Sequence, residues 1–410
     1  MSEVLLLSVL LAAAYFGNLF VEGRSIRGFG LPSGAEWLVV GVILGPHALG
    51  VFQVSVIRDL EPLVVVGLGW TALVLGIDYG YVGDRRSSRR GLLLGLALSL
   101  LCAAVVAAAA FAYCTLQLRL AASEALVVAA TLALVSSETT RHAVRWISER
   151  QGAQGPLADI LAEIADADGA LPLLGLGVLV AISTTAGLNV ELPLGWRLAA
   201  AVALAVILGL IAAALLARSF AFGESWAVLI GVALLGIGIS MRLGAAALTV
   251  MFICGVVISM LSHRHAELRR LLAPTERPVI LPLLVLGGAT LDLRSFSPVV
   301  IGLLGVVLLA RIVAKLAGAR LIAAFVPAAR HSPGATGGAL LASGTLSMSI
   351  GLYAYLSLEG RHGELALLAA SVATAFGELV GPIMLRRALS RAGEIEGSDA
   401  VLPALPEGPP

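Results

Sequence analysis

Residues 165–172 read Ala165-Asp166-Ala167-Asp168-Gly169-Ala170-Leu171-Pro172, and they lie inside a long apolar segment from about residue 157 to residue 182. A run of that length spans a bilayer as a helix, because ~20 apolar residues cover the ~30 Å hydrocarbon core. Carboxylates near the middle of such a helix are costly unless they face water, a partner charge or an ion. The sequence therefore predicts a functional site at Asp166 and Asp168, inside a membrane-spanning helix.

The composition of the whole chain also indicates a membrane protein. Of its 410 residues, 59% are hydrophobic and only 13% are charged, with a mean hydropathy of +0.98. A soluble domain of this length would need far more surface charge. The formal net charge of +1 excludes the strongly basic surface that nucleic acid requires. The three cysteines all fall in apolar segments, which indicates packing residues rather than a disulfide framework.

A hydropathy pass divides the chain into about thirteen segments of spanning length, which predicts an all-α polytopic membrane protein. If the first segment begins outside, the inward loops hold most of the arginines, which predicts an outside N-terminus and a cytoplasmic C-terminus in the inner (plasma) membrane. Residues 1–390 are expected to form the membrane domain and residues 391–410 a disordered cytoplasmic tail. Residues 263–277 are typical of an amphipathic helix on the cytoplasmic surface. The approximate spans are 3–20, 35–52, 60–77, 91–117, 122–148, 157–182, 196–217, 225–241, 243–262, 278–293, 298–326, 335–358 and 363–385.

Two basic residues lie inside the eleventh segment rather than in a loop. Arg311 and Lys315 are four residues apart and therefore share one helical face. Lys315 is the only lysine in a chain that otherwise uses arginine. This choice indicates a role that arginine cannot fill, because a buried lysine can lose its proton whereas arginine keeps its charge. A purely structural or snorkelling charge is the alternative interpretation.

Polar residues interrupt two of the apolar segments at matching places. The fifth segment is broken at Ser136-Ser137-Glu138-Thr139-Thr140, and the twelfth at Ser343-Gly344-Thr345-Leu346-Ser347-Met348-Ser349. If the seventh segment is set aside as a linker, each break falls in the fifth helix of a group of six. The odd spacer then inverts the second group relative to the first. Inverted repeats with paired broken helices are typical of secondary transporters, and the freed backbone groups require a watery cavity.

Several motifs resemble those of the monovalent cation–proton antiporters, in particular the group with NapA-type sodium and Kef-type potassium proteins. The likeness extends from about residue 30 to residue 390, and the order and spacing of the motifs make it specific. The double serine Ser136-Ser137 is similar to that of the family's first broken helix. The other motifs are residues 41–50 (GVILGPHALG), 75–78 (LGID), 245–255 (AAALTVMFICG) and 281–293 (LPLLVLGGATLDL).

The resemblance implies two inverted repeats with crossed broken helices, and a core domain that moves against a dimerisation domain. We expect core helices over about residues 91–182 and 298–385, and a homodimer built on the remaining helices. The family also has an aspartate in the middle of its sixth helix that binds a cation or a proton in competition, and this role carries to Asp168. The family's lysine in the eleventh helix, the partner of that aspartate in electrogenic members, carries to Lys315.

The sequence departs from the family pattern at several acidic positions. The family has Asp, Asn or Gln immediately before the key aspartate, where this chain has Ala167. An acid stands instead at Asp166, roughly 200° away around a regular helix, so either aspartate is a candidate ion ligand. Glu138 occupies a position that is commonly threonine in the family. Glu378 adds a carboxylate near the middle of the last segment, where pairing with Arg311 would account for it.

A carboxylate at the bottom of a water-filled funnel can hold a proton or a dehydrated monovalent cation, but not both. Competition for one site then produces exchange without any further coupling device. Oxygen ligands suit such a hard cation. The expected function is antiport of Na⁺, favoured over K⁺, against protons by alternating access. We expect the oxygen shell to be completed by freed carbonyls and by side chains of the two breaks, namely Ser136, Ser137, Glu138, Thr139 and Thr345.

Two other functions stay open at this point. A sodium-coupled symporter of an organic anion on the same architecture would need a substrate-sized cavity with clustered aromatic residues, and aromatics make up only 5% of the chain. A sensor of ions or pH would keep the fold without transport. The sequence contains no nucleophile–base pair, metal-ligand cluster or nucleotide-binding loop. We therefore expect no enzyme activity, no metal and no cofactor.

Overall fold

The computed structural model describes residues 36–53, 58–82, 85–141, 144, 152–183, 193–217, 222–262, 264–331, 333–358 and 360–395. Within these ranges the regular structure is helical apart from one antiparallel pair of two-residue strands, β1 (Tyr81–Val82) and β2 (Arg85–Arg86). Among the described residues, eight helical spans are long and apolar enough to cross a membrane. The structure therefore confirms an all-α polytopic membrane protein.

The helices follow the predicted spans closely, although the first span, 3–20, lies outside the described residues. The second span is shorter than predicted because Pro46 cannot donate to a helical ladder, and turns follow the helix up to Gly50. The helices are α1 (Glu36–Leu44), α2 (Glu61–Asp78), α3 (Arg89–Leu116), α4 (Ala122–Ser136), α5 (Pro156–Ala167), α6 (Ala170–Ser183), α7 (Leu194–Leu216), α8 (Phe222–Leu243), α9 (Ala247–Leu261), α10 (His265–Ala289), α11 (Pro298–Phe325), α12 (Pro333–Ala339), α13 (Thr345–Ser357) and α14 (Arg361–Ala392).

Helix α10 corrects the expectation of a separate surface helix over residues 263–277. That segment and the tenth span form one continuous helix from residue 265, despite three internal prolines. Its first turn is packed against the bundle: His265 stacks on Tyr81 with ring centroids 3.7 Å apart. The Nε2 atom of His265 also lies 3.0 Å from the carbonyl oxygen of Ile77. The polar face of the segment therefore meets other protein groups rather than solvent alone.

Helices α1, α2, α9 and α10 approach one another closely through glycines. A β-carbon on Gly76 of α2 would lie 2.2 Å from the carbonyl oxygen of Phe252, and one on Gly255 of α9 would lie 2.3 Å from a carbonyl oxygen of α2. Gly41 of α1 and Gly288 of α10 leave equally little room. These glycines belong to the four motifs over residues 41–50, 75–78, 245–255 and 281–293. In this structure the motifs therefore serve helix packing.

Helices α3 to α6 and α11 to α14 form a second group around the two chain breaks. Helix α3 packs mainly against α4, α5 and α11, and α14 packs mainly against α12 and α13. The breaks cross, and they hydrogen-bond to each other at the crossing. The amide of Thr140 donates to the carbonyl of Ala342 at 2.8 Å, and the hydroxyl of Thr139 donates to the carbonyl of Leu340 at 3.1 Å. The structure confirms the predicted pair of crossed broken helices.

The chain after α14 turns back onto the start of α5. The carboxylate of Glu394 accepts hydrogen bonds from the amides of Leu157 and Ala158, both at 2.7 Å. Glu394 and Ile395 are therefore buried against the bundle, within the range 391–410 that was expected to form a disordered tail. Residues 396–410 lie outside the described part of the chain. Because the first amides of a helix have no intrahelical acceptor, this contact caps the helix that leads to Asp168.

Candidate functional site

A buried arginine donates hydrogen bonds to carbonyl groups at both helix breaks. Arg311, on α11, is 1% exposed. It donates to the carbonyl of Ser136, to that of Glu138 at 2.7 Å and to that of Leu341 at 3.3 Å. The unpaired carbonyls at a helix C-terminus favour a cation, so the guanidinium stabilises the ends of α4 and α12. The predicted accessory charge thus has a defined place at the crossing.

Glu138 places a negative charge at a helix N-terminus, whereas Arg311 places a positive charge at helix C-termini. Its Oε1 accepts hydrogen bonds from the amide of Gly344 at 3.0 Å, and from the amide and hydroxyl of Ser347 at 3.1 and 3.0 Å. These groups belong to the first turn of α13, where free amides favour an anion. The carboxylate of Glu138 therefore binds the second break.

Asp168 lies at the turn between α5 and α6, against the crossing. Its side chain is fully buried, and its Oδ2 is 3.3 Å from the Nζ of Lys315, which is 1% exposed. The same ammonium donates to the carbonyl of Ser137 at 2.7 Å and to the hydroxyl of Thr139 at 2.8 Å. The other carboxylate oxygen, Oδ1, accepts no hydrogen bond from the described residues. The structure thus brings together Asp168, Lys315 and the first break.

Asp166 points to a different part of the site. Its Oδ2 accepts a hydrogen bond from the amide of Gly80 at 3.0 Å, and its Oδ1 lies 3.7 Å from the guanidinium of Arg141. The two aspartates thus contact different partners, as expected for positions roughly 200° apart on a helix. A cavity with an empty volume of about 540 Å³, part of it open to solvent, reaches Asp166. Its polar lining includes Glu138, Thr139, Arg141, Asp166, Glu276 and Thr345.

The remaining predicted residues are divided between the site and its surroundings. Thr345 begins α13 and lines the cavity. The hydroxyl of Ser137 donates back to Leu134 at 3.2 Å, and that of Ser136 has no hydrogen-bond partner among the described residues. Neither serine hydroxyl therefore joins the Asp168–Lys315 pair, and of the two serines only Ser137 contributes to it, through its carbonyl. Glu378 is buried on α14, the helix that packs on the second break.

Sequence reasoning missed a second charged cluster at the cavity. It did not single out Arg141 or Asp78, and both are buried. The guanidinium of Arg141 lies 3.2 Å from Asp78 of α2 and 3.0 Å from Glu276 of α10. Arg269 of α10 adds a contact at 3.9 Å to Asp78. The available signal was the presence of both acids and arginines at segment ends predicted to lie on one side of the membrane.

No protein-family model matches the sequence, and no curated protein sequence matches it. Among solved structures, the sodium proton antiporter MjNhaP1 from Methanocaldococcus jannaschii, at pH 8, superposes with a TM-score of 0.67 at 15% identity. This match covers 97% of the present chain and 100% of that chain. A structure of MjNhaP1 from an electron microscopy map gives a TM-score of 0.64 at 16% identity, over 97% and 99% of the two chains. The present chain therefore has the fold of the sodium–proton antiporters.

Proposed function

We propose that the chain exchanges a monovalent cation for protons across the membrane, with Asp168 as the shared site. The observation that carries this proposal is the fully buried Asp168–Lys315 pair at the crossing of two broken helices. A carboxylate in that position is retained where it binds an ion or a proton. The free Oδ1 supports the assignment, because it leaves one carboxylate oxygen for a cation or a proton. The antiporter fold supports it independently.

The contacts of Lys315 suggest how binding and release are balanced. In the empty site the ammonium compensates the Asp168 carboxylate. When a cation or a proton neutralises Asp168, Lys315 keeps two other acceptors, the carbonyl of Ser137 and the hydroxyl of Thr139. If the ammonium gives up its proton as the cation or proton binds, the pair carries no net charge in either loaded state, and a compensated site crosses the apolar barrier more easily than a bare carboxylate. Cation and proton therefore replace one another at one carboxylate.

Alternating access follows if the group that carries the site moves as a body. In this proposal helices α3 to α6 and α11 to α14 are the moving core, and the remaining helices are the scaffold and the homodimer contact. The favoured cation is Na⁺, with K⁺ as the other candidate. The N-terminus lies outside and the C-terminus in the cytoplasm, in the inner membrane, as the distribution of arginines indicates.

The test is cation-evoked current from purified protein in liposomes on a solid-supported membrane. Sodium and potassium jumps are compared for wild type, Asp168→Asn, Asp166→Asn and Lys315→Gln, with the exposed Glu267→Gln as a control. A current that Asp168→Asn abolishes and Asp166→Asn retains supports the proposal. Loss in Asp166→Asn alone moves the site by two residues. A cation-driven pH change without current indicates electroneutral exchange, and the lack of both signals for either cation overturns the antiporter proposal.

A further inference from the structure

Arg141 connects the two groups of helices at the cavity. It follows the first break, whose neighbouring residues contact Lys315. Its guanidinium pairs with Asp78 of α2 at 3.2 Å and with Glu276 of α10 at 3.0 Å. Both acids belong to helices outside the group that surrounds the crossing. Within that group, Asp166 lies 3.7 Å from the same guanidinium. One side chain therefore joins the segment beside the ion site to two helices of the other group.

This contact is stronger than the other polar contacts between the groups. The guanidinium of Arg141 is 7% exposed and engages two carboxylates from two helices, and charge-assisted hydrogen bonds are about twice as strong as neutral ones. Two other contacts between the groups are neutral: the hydroxyl of Thr249 donates to a carbonyl of α6 at 2.6 Å, and the amide of Ala247 donates to the hydroxyl of Tyr353 at 2.9 Å. Two more pair one charged group with a neutral one: the amide of Gly80 donates to Asp166 at 3.0 Å, and Arg197 donates to a carbonyl of α6 at 2.8 Å. Neutral groups exchange partners with water at little cost. A buried ion pair that loses one partner leaves an uncompensated charge.

We infer that Arg141 is an ionic latch between core and scaffold, released from Asp78 and Glu276 each time the core shifts. The inference rests on the core movement in the proposed function and adds the residue that governs it. The ion pairs favour the arrangement seen in this structure, so they set the ratio of the two core positions. Arg269 holds Asp78 from within the scaffold and keeps that carboxylate in place for Arg141 to rebind. Arg141 is thus a positioning residue, not an ion ligand.

The test uses double electron–electron resonance spectroscopy to measure the distance between a spin label on the core and one on the scaffold. Spin labels are attached at Met260→Cys on α9 and Arg391→Cys on α14, two exposed positions. The background replaces Cys102, Cys114 and Cys254, the three native cysteines, by alanine. The full-length protein is measured in liposomes, and sodium-driven pH change is recorded from the same preparation. The variants are Arg141→Gln, Arg141→Lys, Glu276→Gln and Asp78→Asn. The matched control is Arg264→Gln, which removes an exposed ion pair at the start of α10.

We expect two distances in wild type, and a roughly tenfold or larger loss of the population that matches this structure in Arg141→Gln. Glu276→Gln and Asp78→Asn shift the ratio in the same direction, Arg141→Lys restores part of it, and the control leaves it unchanged. If wild type shows two distances and Arg141→Gln leaves their ratio unchanged, the latch is overturned and the proposed core movement is not. A single distance in wild type overturns the core movement of the proposed function as well. If Arg141→Gln does not fold, Glu276→Gln, which keeps the side-chain shape, carries the same test.

Discussion

Replacing Lys315 by glutamine removes the cation that the buried Asp168 carboxylate faces. The two side chains are 1% and 0% exposed, and the ammonium also donates to Ser137 and Thr139. Removal of one partner from such a pair costs about 3–5 kcal/mol, because the remaining charge is left uncompensated. We expect Lys315→Gln to lower the free energy of unfolding by about that amount.

The double variant Asp168→Asn with Lys315→Gln separates charge from shape. It removes both charges and leaves two amides of similar size, so we expect it to lose less stability than the two single variants added together, with a coupling of about 1–3 kcal/mol. Asp168→Asn alone is the milder single change, since Lys315 keeps its two other acceptors. The measurement is thermal unfolding in detergent followed by tryptophan fluorescence, with Arg264→Gln as the control for loss of a solvent-exposed pair.

The expected order of melting temperatures is wild type highest and Lys315→Gln lowest, with the double variant between them. The reasoning is refuted if Lys315→Gln melts with wild type, or if the two single effects simply add in the double variant. Either result would mean that the two charges do not stabilise each other in the folded protein, whatever their distance.

Three further predictions concern packing and helix ends, and thermal unfolding measures the first two. Gly76→Ala places a β-carbon 2.2 Å from a carbonyl oxygen and should lower the free energy of unfolding by about 1–3 kcal/mol. Gly231→Ala has nothing within 4 Å and should raise it by about 0.4–1 kcal/mol. Equal effects would contradict the close packing. Glu138→Ala leaves buried donors of α13 unpaired, and each unpaired donor lowers the free energy of unfolding by about 1–3 kcal/mol. It should therefore melt well below Glu138→Gln, which keeps an acceptor. The reverse order would argue against the cap. Glu394→Ala should cost about 0.5–2 kcal/mol and speed hydrogen exchange at the first amides of α5, and unchanged exchange there would exclude capping.

The parts of the fold that could be predicted are those with a local signal. An apolar run of spanning length marks a helix wherever it lies in the chain, and five consecutive polar residues mark a break. Lys315 stood out for a reason of composition, since it is the only lysine. Asp168 stood out because a carboxylate in the middle of an apolar span is costly. Each of these signals can be read within one helix, without knowledge of its neighbours.

The parts that could not be predicted depend on which distant residues meet. Arg141 finds Asp78 and Glu276 at sequence separations of 63 and 135 residues, and no local pattern indicates those partners. The polar face of residues 265–277 has the same periodicity whether it meets water or a buried arginine. The direction of a serine hydroxyl is likewise set by its surroundings, so Ser137 was expected to face the ion and instead bonds to its own helix.

The contact of Glu394 with α5 affects the order in which the protein can be completed during synthesis. A ribosome makes α5 more than two hundred residues before Glu394, as the amides of Leu157 and Ala158 precede it by 237 and 236 positions. All the described helices can therefore have been synthesised while the start of α5 still lacks its acceptor. The first amides of the helix leading to Asp168 receive this acceptor only after the residues that surround Asp168 at the crossing have all been translated.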